Sequence, residues 1–315
     1  MTIPPYLKAG DKVALLSTSN VTDEQYIERL EKILKEWELQ PVRGKTIGAR
    51  QGSFAGSDEL RLRDLQDMLD NKEIKAVMET MGGYGISRII DGVDFNKFKY
   101  QPKWLVGYSD TTFLHSYLQG MLGIASLHAT MAADLEEGYY KKSWESLRKA
   151  LFGEQLAYSV DAHALNRKGT AEAVLAGGNI SIICSAKGTF TELNTNGKIL
   201  FIEEVGEKHY RLDSFLTSLK QAGKFEYIKG LVVGKLTDIE EDEPPFGKTP
   251  EEIVLDAVKD YDFPLCFGFP AGHGGVNVAL TLGAPVQLEV SDEGAKLTFL
   301  AHKDRFEGKA MARIL

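Results

Sequence analysis

The sequence is poor in the residues that staple a chain, chelate a metal or follow a phosphate backbone. Its 315 residues include two cysteines, Cys184 and Cys266, far apart and outside any CxxC or Cys/His cluster. That spacing excludes a disulfide framework and a cysteine zinc site, and a reducing cytoplasm is the expected location. The six histidines form no HExxH or similar cluster, so neither a catalytic metal nor a cofactor is expected. Basic residues number 37 against 45 acidic ones, for a formal charge of −8, and no basic run could track nucleic acid. No uncharged apolar stretch approaches the roughly 20 residues that a membrane-spanning helix needs. The opening MTIPPYLKAGDKVALLST puts prolines and charges ahead of a short apolar run, so no signal peptide is expected. Nucleic acid and membrane therefore drop out as expected partners.

What is present is an ordinary globular balance, 43% apolar and 26% charged, in a chain longer than one core usually serves. Val13 to Leu16 reads as a buried strand after Gly10 and Asp11. Thr22 and Gln25 have capping-box spacing, and Ile27, Leu30, Leu34 and Trp37 then recur at helical intervals. Ser57 opens a second helix, and Ile74 to Met78 reads as a strand that runs into Gly82-Gly83-Tyr84-Gly85. A short helix around Ile86 to Ile90 precedes the apolar run Trp104 to Val106, and Thr111 to Leu122 has helical character. Strand-helix alternation of this length predicts a flavodoxin-like parallel sheet with helices on both faces and ligands at the carboxyl ends of the strands.

A polar stretch from Glu154 to Thr170 separates this block from the next, and the division is placed there, giving domains 1–160 and 161–315. The second is expected to be mixed α/β. It has strands at Ile199 to Ile202, Leu231 to Val233 and Leu265 to Phe267, and helices at Leu212 to Leu219 and Pro250 to Val258. The alternating runs Val286 to Val290 and Lys296 to Leu300, joined by Ser291 to Gly294, read as a closing hairpin.

Four segments could carry chemistry. In Gly107-Tyr108-Ser109-Asp110-Thr111 a serine stands between a strand and a helix, where its hydroxyl can project and free helix N–H groups can meet an oxyanion. A plain helix cap suits the same position. The glycines 82–85 could bring backbone amides close to a ligand or simply make a tight turn, and they lack the GxGxxG and GK[ST] patterns of nucleotide loops. A nucleotide- or flavin-binding α/β protein would rest on those turns alone. Glu203 and Glu204 follow an apolar strand, where carboxylates often face solvent, and a carboxylate beside an imidazole is what a serine hydrolase needs. His273, among the glycines of Gly268 to Gly275, could be that imidazole or a solvated loop histidine. His128, after an expected short strand Ile124 to Leu127, ranks behind it as a base. His115 and His302 read as structural or surface residues.

Taken in order, these segments resemble the LD-carboxypeptidase family of serine peptidases, which includes the microcin C self-immunity peptidases. The resemblance rests on Pro5 to Asp11, Phe54 to Asp58, Gly82 to Gly85 and Gly107 to Asp110 in the first half. In the second half it rests on Gly177-Gly178-Asn179, on Ile202 to Glu207 with Tyr210 and Asp213, and on Gly268 to His273. It implies Ser109 as nucleophile, His273 as general base, Glu203 as its orienting carboxylate, and an oxyanion hole of backbone N–H groups near Gly83 and Asp110. Gly82, Tyr84, Asn179 and His128 become candidate substrate contacts. The implied reaction removes terminal D-alanine from muropeptide tetrapeptides in peptidoglycan turnover, and a homodimer is expected. Alternatives are a hydrolase of peptidyl-nucleotide amides or an inactive muropeptide-binding protein. Two positions depart from the family pattern. Met81 stands where arginine commonly precedes the glycines, and Ala129 where a glycine often follows the histidine.

Overall fold

A computed structural model describes residues 1–300; His302 and the end of the 161–315 unit lie outside the described residues. In chain order the strands are β1 (Lys12–Leu16), β2 (Gln40–Arg43), β3 (Ile74–Glu79), β4 (Trp104–Gly107), β5 (Ser126–His128), β6 (Ala157–Asp161), β7 (Gly169–Asn179), β8 (Lys198–Val205), β9 (Gly230–Thr237), β10 (Leu265–Cys266), β11 (Leu280–Leu282), β12 (Pro285–Ser291) and β13 (Gly294–Phe299). They form a six-stranded sheet in the order β11-β5-β4-β3-β1-β2 and a seven-stranded sheet in the order β10-β9-β8-β7-β12-β13-β6.

In the first sheet β1 to β5 run parallel. Their order, 2-1-3-4-5, is the flavodoxin-like one. Strands β1, β3 and β4 are short, mainly apolar runs because both of their faces are covered, whereas the edge strand β2 is polar and only half-buried. Val13 and Leu15 of β1 point into one apolar cluster, with Ile27 and Leu30 of helix Glu24–Glu36 and with Trp144 and Leu147 of helix Lys141–Phe152. Ala14 and Leu16 point into another, with Leu65 and Leu69 of helix Asp58–Asp70 and with Phe113 and Leu114 of helix Thr112–Tyr117.

The second sheet is mixed: β7 to β10 are parallel, and β12, β13 and β6 are antiparallel. The β12–β13 hairpin turns between Ser291 and Gly294, as the sequence predicts. Helices Ile180–Ser185, His209–Gln221 and Pro250–Ala257 pack on one face. Through Phe201 and Val232 the other face joins the same cluster as Val13, Leu15 and Trp104. The two sheets thus share a core.

Two local expectations are corrected. Ser57 does cap its helix, accepting the Leu60 N–H at 3.2 Å, but the first helix begins at Glu24 after Asp23, with no side-chain cap. Thr22 Oγ1 lies 2.9 Å from Thr80 Oγ1, so the hydroxyl that could have capped the helix is spent on the end of β3. The polar stretch Glu154 to Thr170 is not merely a connection. Ala157–Asp161 alternates exposed and half-buried residues and pairs as the sheet's edge strand with β13, a place where polar residues are at home. Strand β11, from the second half of the sequence, pairs antiparallel with β5 of the first sheet. No helix among the described residues is long and apolar enough to cross a membrane.

Candidate active site

Ser109 follows β4 by two residues and opens a one-turn helix, Ser109–Thr111, that leads into helix Thr112–Tyr117. Its φ of 61° is in the left-handed region, rare for a residue with a side chain. Strain of this kind is typical of a serine held at a sharp strand-to-helix turn. The Asp110 side chain is fully buried and accepts the Ser19 hydroxyl at 2.5 Å and the Ile86 N–H at 2.9 Å. It thereby ties the nucleophile-side turn to the turn of Gly82 to Gly85. The sequence suggests for Asp110 only a helix cap or a backbone N–H; the carboxylate directly after the serine is the signal for this clamp.

Glu203 is a fully buried residue of β8. His273 reaches it from the loop after β10: Nδ1 is 2.7 Å from Glu203 Oε2, and the His273 N–H donates to the same oxygen at 3.4 Å. The Thr237 hydroxyl donates to the His273 carbonyl at 2.8 Å and holds the loop to β9. Burial works against the His273 imidazolium, but the charge of Glu203 and its hydrogen bond outweigh it and raise the pKa above the usual value. Burial would likewise favour a neutral Glu203, yet the His273 charge and hydrogen bond hold its carboxyl below the usual range. With Nδ1–H donated to the carboxylate, Nε2 is the ring's basic nitrogen.

Tyr108 bridges the serine turn to the histidine. Its ring centroid lies 4.7 Å from that of His273, and its hydroxyl donates to Asp134 Oδ1 at 2.6 Å. Asp134 also accepts the Thr130 hydroxyl and the Met131 N–H, so Tyr108 is fixed at both ends. Neither Tyr108 nor Asp134 was a candidate from sequence, although an aromatic residue directly before the serine was in plain sight.

The remaining candidates separate. Gly82 is buried beside Ser109, and Gly83 and Tyr84 are exposed next to it, with Tyr84 against Phe54. Asn179 is buried and used internally. Its oxygen accepts the Ile182 N–H and the Ser181 hydroxyl, its amide donates to Glu204, and its N–H donates to Thr112 Oγ1. That last bond ties β7 to the helix behind Ser109. His128 belongs to β5 rather than following it, is buried against Tyr108 and Phe201, and has its pKa pushed down to about 3 by burial. His115 is also buried, bonded to Ser126 and the Gly107 carbonyl, and burial lowers its pKa to about 4. Position 81 carries no guanidinium, but one stands nearby in a place the sequence did not reveal. Arg61 is wholly buried below Gly85, donates to the Thr18 carbonyl, pairs with Asp58 and lies over the Phe54 ring.

Residues 13–129 match the LD-carboxypeptidase N-terminal domain, and residues 172–288 match the LD-carboxypeptidase C-terminal domain. The chain belongs to the LD-carboxypeptidase family. It is 31% identical over 296 residues to a probable murein peptide carboxypeptidase of Bacillus subtilis, with 93% of each chain covered. It is 28% identical over 289 residues to a murein tetrapeptide carboxypeptidase of Pseudomonas aeruginosa, covering 88% of this chain and 93% of that one. The fold matches the crystal structure of a muramoyltetrapeptide carboxypeptidase from Oxalobacter formigenes with a TM-score of 0.83 at 22% identity, over 91% of this chain and 98% of that one. Family membership makes the protein a peptidase of the serine class.

Proposed function

We propose that the protein is an LD-carboxypeptidase that releases the terminal D-alanine of muropeptide tetrapeptides, with Ser109, His273 and Glu203 as its catalytic residues. The observation that carries this reading is the 2.7 Å hydrogen bond between a buried carboxylate and an imidazole whose ring packs on the residue before a strained serine. The substrate class follows the names borne by the Bacillus and Pseudomonas relatives.

In this mechanism Nε2 of His273 takes the Ser109 proton as Oγ attacks the scissile carbonyl. Glu203 keeps the ring oriented and stabilises the imidazolium that forms. The oxyanion is met by the N–H groups of Gly83 and Asp110, the latter at the start of a helical run whose first N–H groups have no partner within the helix. The imidazolium then gives its proton to the leaving amine of D-alanine, and water, deprotonated by the same ring, hydrolyses the acyl-enzyme. We read residues 1–160 as the unit that supplies the nucleophile and 161–315 as the unit that supplies the base and its carboxylate.

The test is D-alanine release from a tetrapeptide by the wild type and by Ser109→Ala. Release by the wild type, reduced about 10⁶-fold in kcat by the substitution, is the expected result. No release by the wild type, or undiminished release by the variant, would overturn the assignment.

A further inference from the structure

We propose that Lys235 is the residue that binds a carboxylate of the peptide substrate beside His273. The inference rests on the carboxypeptidase reading above and goes beyond it by naming how the site recognises an acidic peptide end.

Lys235 is on β9, the strand between β8, which carries Glu203, and β10, whose loop carries His273. Its own N–H donates to the Ala271 carbonyl at 2.9 Å, which registers the strand against the loop two residues before the histidine. The ammonium lies against the other limb of that loop. A Cβ on Gly275 would be 3.4 Å from Nζ and 3.9 Å from the ring of Tyr140. Gly275 has a φ of 61°, so the loop bends there through a left-handed residue, and Nζ lies in ordinary van der Waals range of that bend. The cation thus stands where the loop two residues past His273 meets Tyr140 of the first half of the chain.

Nζ makes no ion pair and no hydrogen bond to a described residue. The acidic groups that surround it are committed elsewhere. Glu203 holds His273, Asp134 holds Tyr108, Thr130 and Met131, and Glu137 accepts the Gly275 N–H at 2.9 Å. Lys235 is half-buried, and burial lowers its pKa from the usual lysine value. A partly desolvated ammonium without a partner of its own gains more from an incoming anion than a lysine in open water does. A carboxypeptidase has such an anion to recognise, since its substrate ends in a free carboxylate near the scissile bond.

Next to the scissile bond a tetrapeptide offers two carboxylates of this chemistry, the main-chain terminus of D-alanine and the side-chain carboxylate of a diaminopimelate third residue. The experiment compares kcat/KM for four tetrapeptides, with diaminopimelate or lysine third and with a C-terminal acid or amide, on the wild type, Lys235→Met and Lys235→Arg. The wild type is expected to favour one acid-bearing member by about 10- to 100-fold, the range for a hydrogen bond to a charged group. Lys235→Met should collapse that preference mainly through KM, and Lys235→Arg should restore most of it. Collapse of the acid-over-amide preference identifies the terminal carboxylate; collapse of the diaminopimelate-over-lysine preference identifies the side chain. Equal wild-type rates on all four peptides, or preferences unchanged in a folded Lys235→Met, overturn the proposal. If the wild type releases no D-alanine at all, the carboxypeptidase reading has failed. Calorimetric binding of the same peptides to Ser109→Ala, with and without Lys235→Met, then decides the lysine's role separately.

Discussion

Gly82 stands so close to Ser109 that a Cβ built on it would lie 2.9 Å from the serine Cβ and 3.0 Å from its Oγ. The serine is already in the left-handed region, and Asp110 clamps its turn to the glycine turn from below. An added methyl therefore has to push the hydroxyl aside. Gly82→Ala is expected to lower kcat by about 10- to 100-fold, the penalty for displacing a reacting group by an ångström or so, with little change in Tm. Steady-state kinetics and a thermal melt on one preparation check it; wild-type kcat would show that the hydroxyl is not held by this contact.

The pair of Glu203 and His273 sets the acid limb of the pH profile. The ring must be neutral to take the serine proton, and its pKa is raised, so kcat/KM should fall as pH drops through a value above the usual 6.5 for histidine. Glu203→Gln removes the charge that raises it. The limb should move to lower pH while kcat falls by about 10³- to 10⁴-fold. An unmoved limb in the variant would assign it to another group.

Glu79 makes stability depend on pH. It is fully buried at the end of β3, and burial, reinforced by the nearby charges of Asp110 and Asp64, outweighs the Thr18 N–H it accepts and pushes its pKa up to about 8. Between the usual value of 4.5 and about 8 the folded protein holds a proton that the unfolded chain has lost, so stability declines as pH rises through that window. Glu79→Gln should flatten the curve of Tm against pH and melt above the wild type at pH 8. Parallel curves would mean that Glu79 is ionised in the native state.

Arg61 is wholly enclosed beneath the glycine turn. Arg61→Met keeps roughly the volume but strips the buried Thr18 carbonyl and the partly exposed Asp58 of a donor, which should cost about 1–3 kcal/mol in chemical denaturation, as for a buried acceptor left without its partner. A loss under 1 kcal/mol would show that Arg88, which also pairs with Asp58, takes over.

What the sequence made legible follows from how each element is buried. Strands β1, β3, β4, β8 and β9 are apolar runs covered on both faces and can be read directly. Strand β6 alternates, β11 spans three residues, and much of β7 is polar or glycine, so none stands out from its surroundings. Thr22 misled because a local capping pattern competed with a tertiary partner, Thr80, that lies 58 residues away. Glu203 and His273 could each be picked as a strand-end residue, but their contact depends on β9 lying between β8 and β10, which no local pattern fixes. Tyr108, Asp134 and Lys235 escaped because their importance comes entirely from what the fold sets beside them.

Strand β11 pairs Leu280 with His128 and Leu282 with Ser126. In a chain made from the N-terminus, the edge of β5 therefore waits bare until residues 280–282 have emerged and threaded back. Through that interval the half carrying Ser109 has an open, sticky border of the kind that pairs with the wrong neighbour. A segment made late in synthesis is what seals the first sheet to be laid down, so a product that stops short of residue 280 leaves the ribosome with its oldest half still unfinished.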